Sequence, residues 1–158
     1  MTFEEAKRIF AALIAEEVDF VVIGSMAMAA HGLPRATRDL DLFVSPEREN
    51  IEALKRALRS LYDDPSIEEI QADELAYEYP AVQYVPPHGE YSLDFLTRLG
   101  EAFSWEDVEA GAEDLVLEEL TVPVATARLL YEMKKDTVRP QDRVDAERLK
   151  EALGLEGD

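Results

Sequence analysis

Two aspartates, Asp39 and Asp41, stand two residues apart in the run "RDLDLFV", and a third, Asp94, interrupts the apolar run "YSLDFL". Both runs read as strands. Side chains alternate along a strand, so Asp39 and Asp41 share a face, while Leu40 points the other way. Same-face neighbours lie roughly 6–7 Å apart, close enough for both carboxylates to reach one metal ion, or one each of two. A lone Asp in an apolar strand is disfavoured, so Asp94 also needs a reason. If its strand lies beside the first, the three acids cluster, and at least one is pushed toward protonation unless a cation compensates. Mg²⁺, a hard cation, takes oxygen ligands and usually binds one or two carboxylates together with substrate phosphates. Two such ions can activate an attacking hydroxyl and stabilise a leaving pyrophosphate.

Upstream, "DFVVIGS" is a β-branched run that ends in Gly24-Ser25. Glycine admits close approach of a ligand to the backbone, and the helix that follows turns free N–H groups toward a phosphate. Ser25 adds a hydroxyl. Phosphate cradle and acids are then expected at strand ends on one side of a sheet.

The elements that must position these groups follow from the pattern of the chain. Residues 3–17 place Phe3, Phe10, Leu13 and Ile14 at helical spacing behind an N-cap at Thr2. The strand 19–25 leads into a short helix that stops at Gly32, and Pro34 prevents its continuation. After the Asp39–Asp41 strand, Ser45-Pro46 opens a helix over 47–61, with Pro46 suited to its first turn. Residues 62–76 read as acidic and irregular. Two strand-like runs flank Pro86-Pro87-His88-Gly89 and suggest a hairpin. A short helix over 101–111, one or two strands in "DLVLEELTVPVA" and a helical stretch from Thr126 to Leu153, broken near Pro140, complete the chain. This order predicts an α/β fold, a small sheet with helices on its faces and a helical C-terminal part. One domain is expected over residues 1–158, with a core over 1–124 and a helical segment over 125–158.

Composition narrows the chemistry. The chain has 158 residues and no cysteine, which removes disulfides, thiolate zinc sites and cysteine nucleophiles. Only His31 and His88 are present, too few for a His-rich dinuclear hydrolase site. His31, ahead of a capping glycine, reads as a helix-end residue. The first twenty residues are acidic throughout, unlike a signal peptide, and no apolar run approaches ~18 residues, so a cytoplasmic protein without a membrane span is expected. A net charge of -19 opposes non-specific binding to polyanions. Residues 128–150, with seven basic and five acidic side chains, are the exception, and a polyanion would most readily meet the chain there.

The stretch "GSMAMAAHGLPRATRDLDLFV" resembles the signature of the minimal nucleotidyltransferases: Gly-Ser after a strand, a short helix, His-Gly, then Arg-x-Thr-x-Asp-x-Asp. It is most similar to the bacterial abortive-infection-type nucleotidyltransferases, which include toxins of toxin–antitoxin pairs. The likeness extends more loosely through Asp94 and into "LLYEMKKDTVRPQDRVDAERL". The resemblance implies a mixed-sheet core that binds NTP and Mg²⁺ or Mn²⁺. It implies Asp39 and Asp41 as metal ligands and Asp94 as the third acid and base. Gly24 and Ser25 would cradle the nucleotide, Arg35 and Thr37 would brace the loop or contact phosphate, and Lys134 would hold the triphosphate, although only one of the adjacent Lys134 and Lys135 can face the site. It further implies transfer of a nucleotidyl group to an acceptor hydroxyl on RNA, such as a tRNA end, or on a protein, and an antitoxin as partner. The alternative is a non-catalytic module of the same fold that binds a nucleotide or a partner protein.

Overall fold

The computed structural model describes residues 1–33 and 38–155. Helix α1 (Phe3–Ala15) opens on a capping box. Thr2 Oγ1 accepts from the Glu5 amide at 3.1 Å, and the Thr2 amide donates to Glu5 Oε1 at 2.7 Å. Strand β1 (Phe20–Ile23) runs directly into α2 (Gly24–Ala30), and β2 (Asp39–Val44) is followed by α3 (Arg48–Leu61). A 3₁₀ turn (Pro65–Glu69) and a π turn (Glu74–Glu78) order part of the stretch expected to be irregular. Then come β3 (Ala81–Tyr84), β4 (Ser92–Leu96), the small ribbon β5 (Arg98–Leu99) and β6 (Phe103–Ser104), and α4 (Trp105–Ala110). The hairpin β7 (Ala112–Leu117) and β8 (Leu120–Ala125) leads to α5 (Ala127–Lys134) and α6 (Pro140–Leu153).

Six strands form one mixed sheet in the order β3-β4-β2-β1-β8-β7. Strands β1 and β2 are antiparallel, while β2 pairs with β4, and β1 with β8, in parallel. The hairpin expected around Pro86-Pro87 is present as the antiparallel pair β3–β4.

One face of the sheet is apolar. Val22, Leu42 and Phe95 form a cross-strand row on it, and Leu40, Val44 and Leu93 extend it, all almost fully buried. Phe10 of α1 stacks on Phe20 at 6.3 Å on this side. The opposite face carries Asp39, Asp41 and Asp94. A one-residue slip of β2 would exchange Leu40 and Leu42 for two carboxylates in the core. Each buried leucine favours the observed register by about 1.5–3 kcal/mol, so the core itself fixes where the acids point.

The far ends of β1 and β2 are tied together by Asn50, the single asparagine of the chain. Its side chain donates to the carbonyls of Asp19 (3.0 Å) and Ser45 (2.9 Å) and accepts from the Asp19 amide (2.7 Å). Helix α3 starts at Arg48, within one residue of the expected 47–61, and Pro46 lies ahead of its N-cap Glu47 and not in its first turn. Among the described residues no helix is long and apolar enough to cross a membrane.

Candidate functional site

The parallel pairing of β2 and β4 sets Asp41 opposite Asp94 and Asp39 opposite Ser92. On the outer side of β4, Gln83 of β3 pairs with Asp94. A polar row thus crosses three strands, with Ile23 closing it on β1. The Asp41 carboxyl stands beside that of Asp94 across the strand pair, and it is pushed up to about 7. Burial is the largest cause, followed by the neighbouring Asp94 carboxyl and then the charge of Asp39, and the Lys134 ammonium works in the opposite direction. Near neutral pH the Asp41 carboxyl is therefore only partly ionised.

Asp39 is held differently. Its Oδ1 accepts from Ser92 Oγ at 2.5 Å, and Ser92 Oγ in turn accepts from Gln83 Nε2 at 3.3 Å. Two of the three acids meet face to face, while the third is drawn one step along the strand by Ser92. Among the described residues no three carboxylate or imidazole side chains converge on a single metal position.

Gly24 follows Ile23 at the end of β1, with φ +68. A Cβ placed there would lie 2.2 Å from Asp41 Oδ2, a distance no side chain tolerates. The glycine therefore serves two needs at once, a left-handed backbone and an open flank beside the carboxylate. Ser25 is 2% exposed, below the surface of the turn. Arg35 and Thr37, also expected near the nucleotide, lie outside the described residues.

A cleft of about 750 Å³ opens over the acids. Ile23, Gly24, Asp41, Asp94 and Gln83 form its sheet side, and Met133, Lys134, Thr137, Arg139 and Asp142 its helical side. Of the adjacent lysines, Lys134 faces the cleft, whereas Lys135 pairs with Glu132 at 2.9 Å and lies near the Tyr131 ring. Lys134 is already engaged. Its Nζ donates to Asp145 Oδ2 at 2.8 Å and to Asp142 Oδ1 at 3.3 Å. Asp145 is fully buried and also accepts from Gln141 Nε2 at 3.0 Å, while Thr137 Oγ1 donates to Asp142 Oδ2 at 2.9 Å. Removing one partner of such a buried pair costs about 3–5 kcal/mol. This network fixes the α5–α6 corner against the cleft.

Helix α5 is aimed by its own start. Thr126 Oγ1 accepts from the Leu129 amide at 3.1 Å and donates to the Gly111 carbonyl at 3.0 Å. His31, the C-cap of α2, reaches the neighbouring Ala125 carbonyl through Nε2 at 2.8 Å. A carbonyl only accepts, so Nε2 carries the proton in this contact. His31 thus has the helix-end place expected of it and joins α2 to the root of α5.

Ser92, Gln83, Asp142 and Asp145 escaped the sequence reading. Ser92 had a signal, because it precedes Asp94 by two residues just as Asp39 precedes Asp41. The acids of α6 had none, since charged residues on a C-terminal helix read as a solvated face.

The geometry can be set beside known proteins. No curated protein matches the chain. Among the solved structures that share its fold are the following two. One is a protein of Thermotoga maritima assigned as a nucleotidyltransferase, 16% identical, with a TM-score of 0.58 over 98% of this chain and 96% of that one. The other is ANT(2")-Ia in complex with adenylyl-2"-tobramycin, 15% identical, with a TM-score of 0.59 over 96% of this chain and 88% of that one. The family described as nucleotidyl transferase AbiEii toxin, type IV toxin–antitoxin system, matches residues 8–149. With its mixed sheet and its acids over an open cleft, the chain belongs to the AbiEii nucleotidyltransferase family.

Proposed function

We propose that this nucleotidyltransferase moves a nucleoside monophosphate from an NTP to an acceptor hydroxyl in the cleft above Asp41 and Asp94, with a divalent cation bound by these acids. The observation that carries this reading is the cross-strand Asp41–Asp94 pair beside the side-chain-free Gly24. The donor set fits a hard cation: all the groups are carboxylate oxygens, and burial together with the neighbouring acids pushes Asp41 up to about 7. Two carboxylates with substrate phosphates complete a usual Mg²⁺ or Mn²⁺ shell, so three converging protein ligands are not required. Asp41 and Asp94 would hold the ion, with Asp39 beside them. When bound, the ion supplies charge neutralisation to the phosphates and acidifies the attacking hydroxyl.

The chain's own residues then have distinct tasks. Asp94 accepts the proton of the acceptor hydroxyl as its oxygen bonds to the α-phosphorus. The bond from that phosphorus to the bridging oxygen breaks, and pyrophosphate leaves with the electron pair. Gly24 lets the nucleotide approach the backbone, and Ser25 supports the turn from below. Ser92 fixes the orientation of Asp39. Lys134 keeps a positive charge beside Asp41, which favours the ionised form.

The acceptor is an RNA end, such as that of tRNA, or a protein side chain, and the family's place in type IV toxin–antitoxin systems supports a toxin role with a cognate antitoxin. The test is label transfer from each of the four α-labelled NTPs, with Mg²⁺ or Mn²⁺, into mixed RNA and protein, using Asp41→Asn as control. Label that depends on Asp41 is expected in one acceptor class. Equal labelling by the variant refutes the assignment, and no labelling with any NTP points to a binding module.

A further inference from the structure

Two cationic side chains line the helical side of the cleft among the described residues, Lys134 and Arg139, and they differ in what they have left to offer. An ammonium has three N–H groups. Lys134 directs two of them at Asp142 and Asp145, and it is only 12% exposed. That trio carries one positive and two negative charges, so it presents no net attraction to a polyanion. Drawing Lys134 toward a phosphate would also strip the fully buried Asp145 of its cation. Arg139 has the opposite character. Its side chain is 78% exposed, and among the described residues its one ion pair, to Asp142, spans 3.9 Å. It stands where the chain turns from α5 into α6, on the rim of the same cleft. A guanidinium offers paired N–H groups that match two phosphate oxygens at once.

We propose that Arg139, and not Lys134, is the side chain that grips the polyphosphate of the incoming nucleotide. This rests on the reading of the cleft as an NTP site. Lys134 is then a fixed charge that belongs to the α5–α6 framework, and Arg139 is the arm that swings onto the substrate.

Titration calorimetry on the full chain with Mg²⁺ tests this, using inorganic tripolyphosphate and the NTPs as probes. Arg139→Gln should weaken tripolyphosphate and NTP by a similar factor, about tenfold or more, and Arg139→Lys by less. Arg143→Gln removes the same charge one turn further along α6, away from this cleft, and should change either affinity by no more than about twofold. Unchanged affinities in Arg139→Gln overturn the proposal, as do equal losses in Arg139→Gln and Arg143→Gln, which would mark a diffuse charge effect. Binding is read without turnover, so the two readings fail separately. Affinity that depends on Arg139 in a protein that labels no acceptor overturns the proposed reaction and leaves this assignment standing. Label transfer with affinities indifferent to Arg139 overturns this assignment alone.

Discussion

Replacing Asp41 with asparagine should make the protein more stable above neutral pH while removing its activity. In the unfolded chain Asp41 ionises near its ordinary value of 3.8, whereas in the folded protein it is held up to about 7. The sign follows from proton binding. The raised group contributes stability that is fully present below 3.8 and is lost as pH rises through about 7. From about pH 6 to about pH 8 the unfolded group stays ionised while the folded one releases most of a proton, and integration over that interval gives a loss of about 1–2 kcal/mol. For a protein of this size that corresponds to roughly 3–6 °C in Tm. Asp41→Asn keeps the shape, places an amide N–H donor beside Asp94, and removes the titration. Thermal unfolding of both proteins in EDTA at the two pH values is the assay. The variant should gain about 3–6 °C on the wild type between the lower and the higher pH. Added Mg²⁺ or Mn²⁺ should then raise the wild type preferentially at the higher pH, because the cation binds the folded form of the acid pair. A Tm difference that stays constant to within about 1 °C across the interval would refute the argument that Asp41 is held protonated by its surroundings.

Three further outcomes are expected. Lys134→Met should cost about 3–5 kcal/mol in denaturant unfolding, because Asp145 is left buried without its cation, and adding Asp145→Asn should recover part of the loss. Ser92→Ala should lower stability by only about 1–2 kcal/mol yet reduce label transfer, since Asp39 loses its orienting donor; transfer at the wild-type rate would separate Asp39 from the reaction. Asn50→Ala should cost about 2–4 kcal/mol through the backbone groups of Asp19 and Ser45, with NTP affinity unchanged in the surviving folded protein.

The acids of the sheet were legible because strand periodicity is short and rigid. Asp39 and Asp41 straddle Leu40, and a leucine that must be buried dictates where its neighbours point. Asp94 was legible for the same reason, as a charge inside an apolar strand. The turn at Gly24 could be read as a close approach, but not that the approaching group is Asp41 itself. That contact depends on the antiparallel pairing of β1 with β2, which no local pattern encodes. The second half of the cleft was obscure for a different reason. Lys134, Asp142 and Asp145 look like ordinary helix-surface charges until the α5–α6 corner closes and buries them against one another. Residues 62–76 looked irregular because their turns are short and capped locally, as where Asp64 accepts from the Ser66 amide at 3.0 Å.

The clash waiting at Gly24 has an evolutionary reading. Positions 24 and 41 behave as one inherited character, not two. Any side chain acquired at 24 must push the Asp41 carboxyl aside or be met by a shorter residue at 41, and either change takes the acid from its place beside Asp94. A lineage that loses the glycine therefore has no compensating change that restores both the fold and the chemistry. Among relatives of this chain, a residue other than glycine at the position of Gly24 is thus a sign of lost catalysis that can be read even where every aspartate survives.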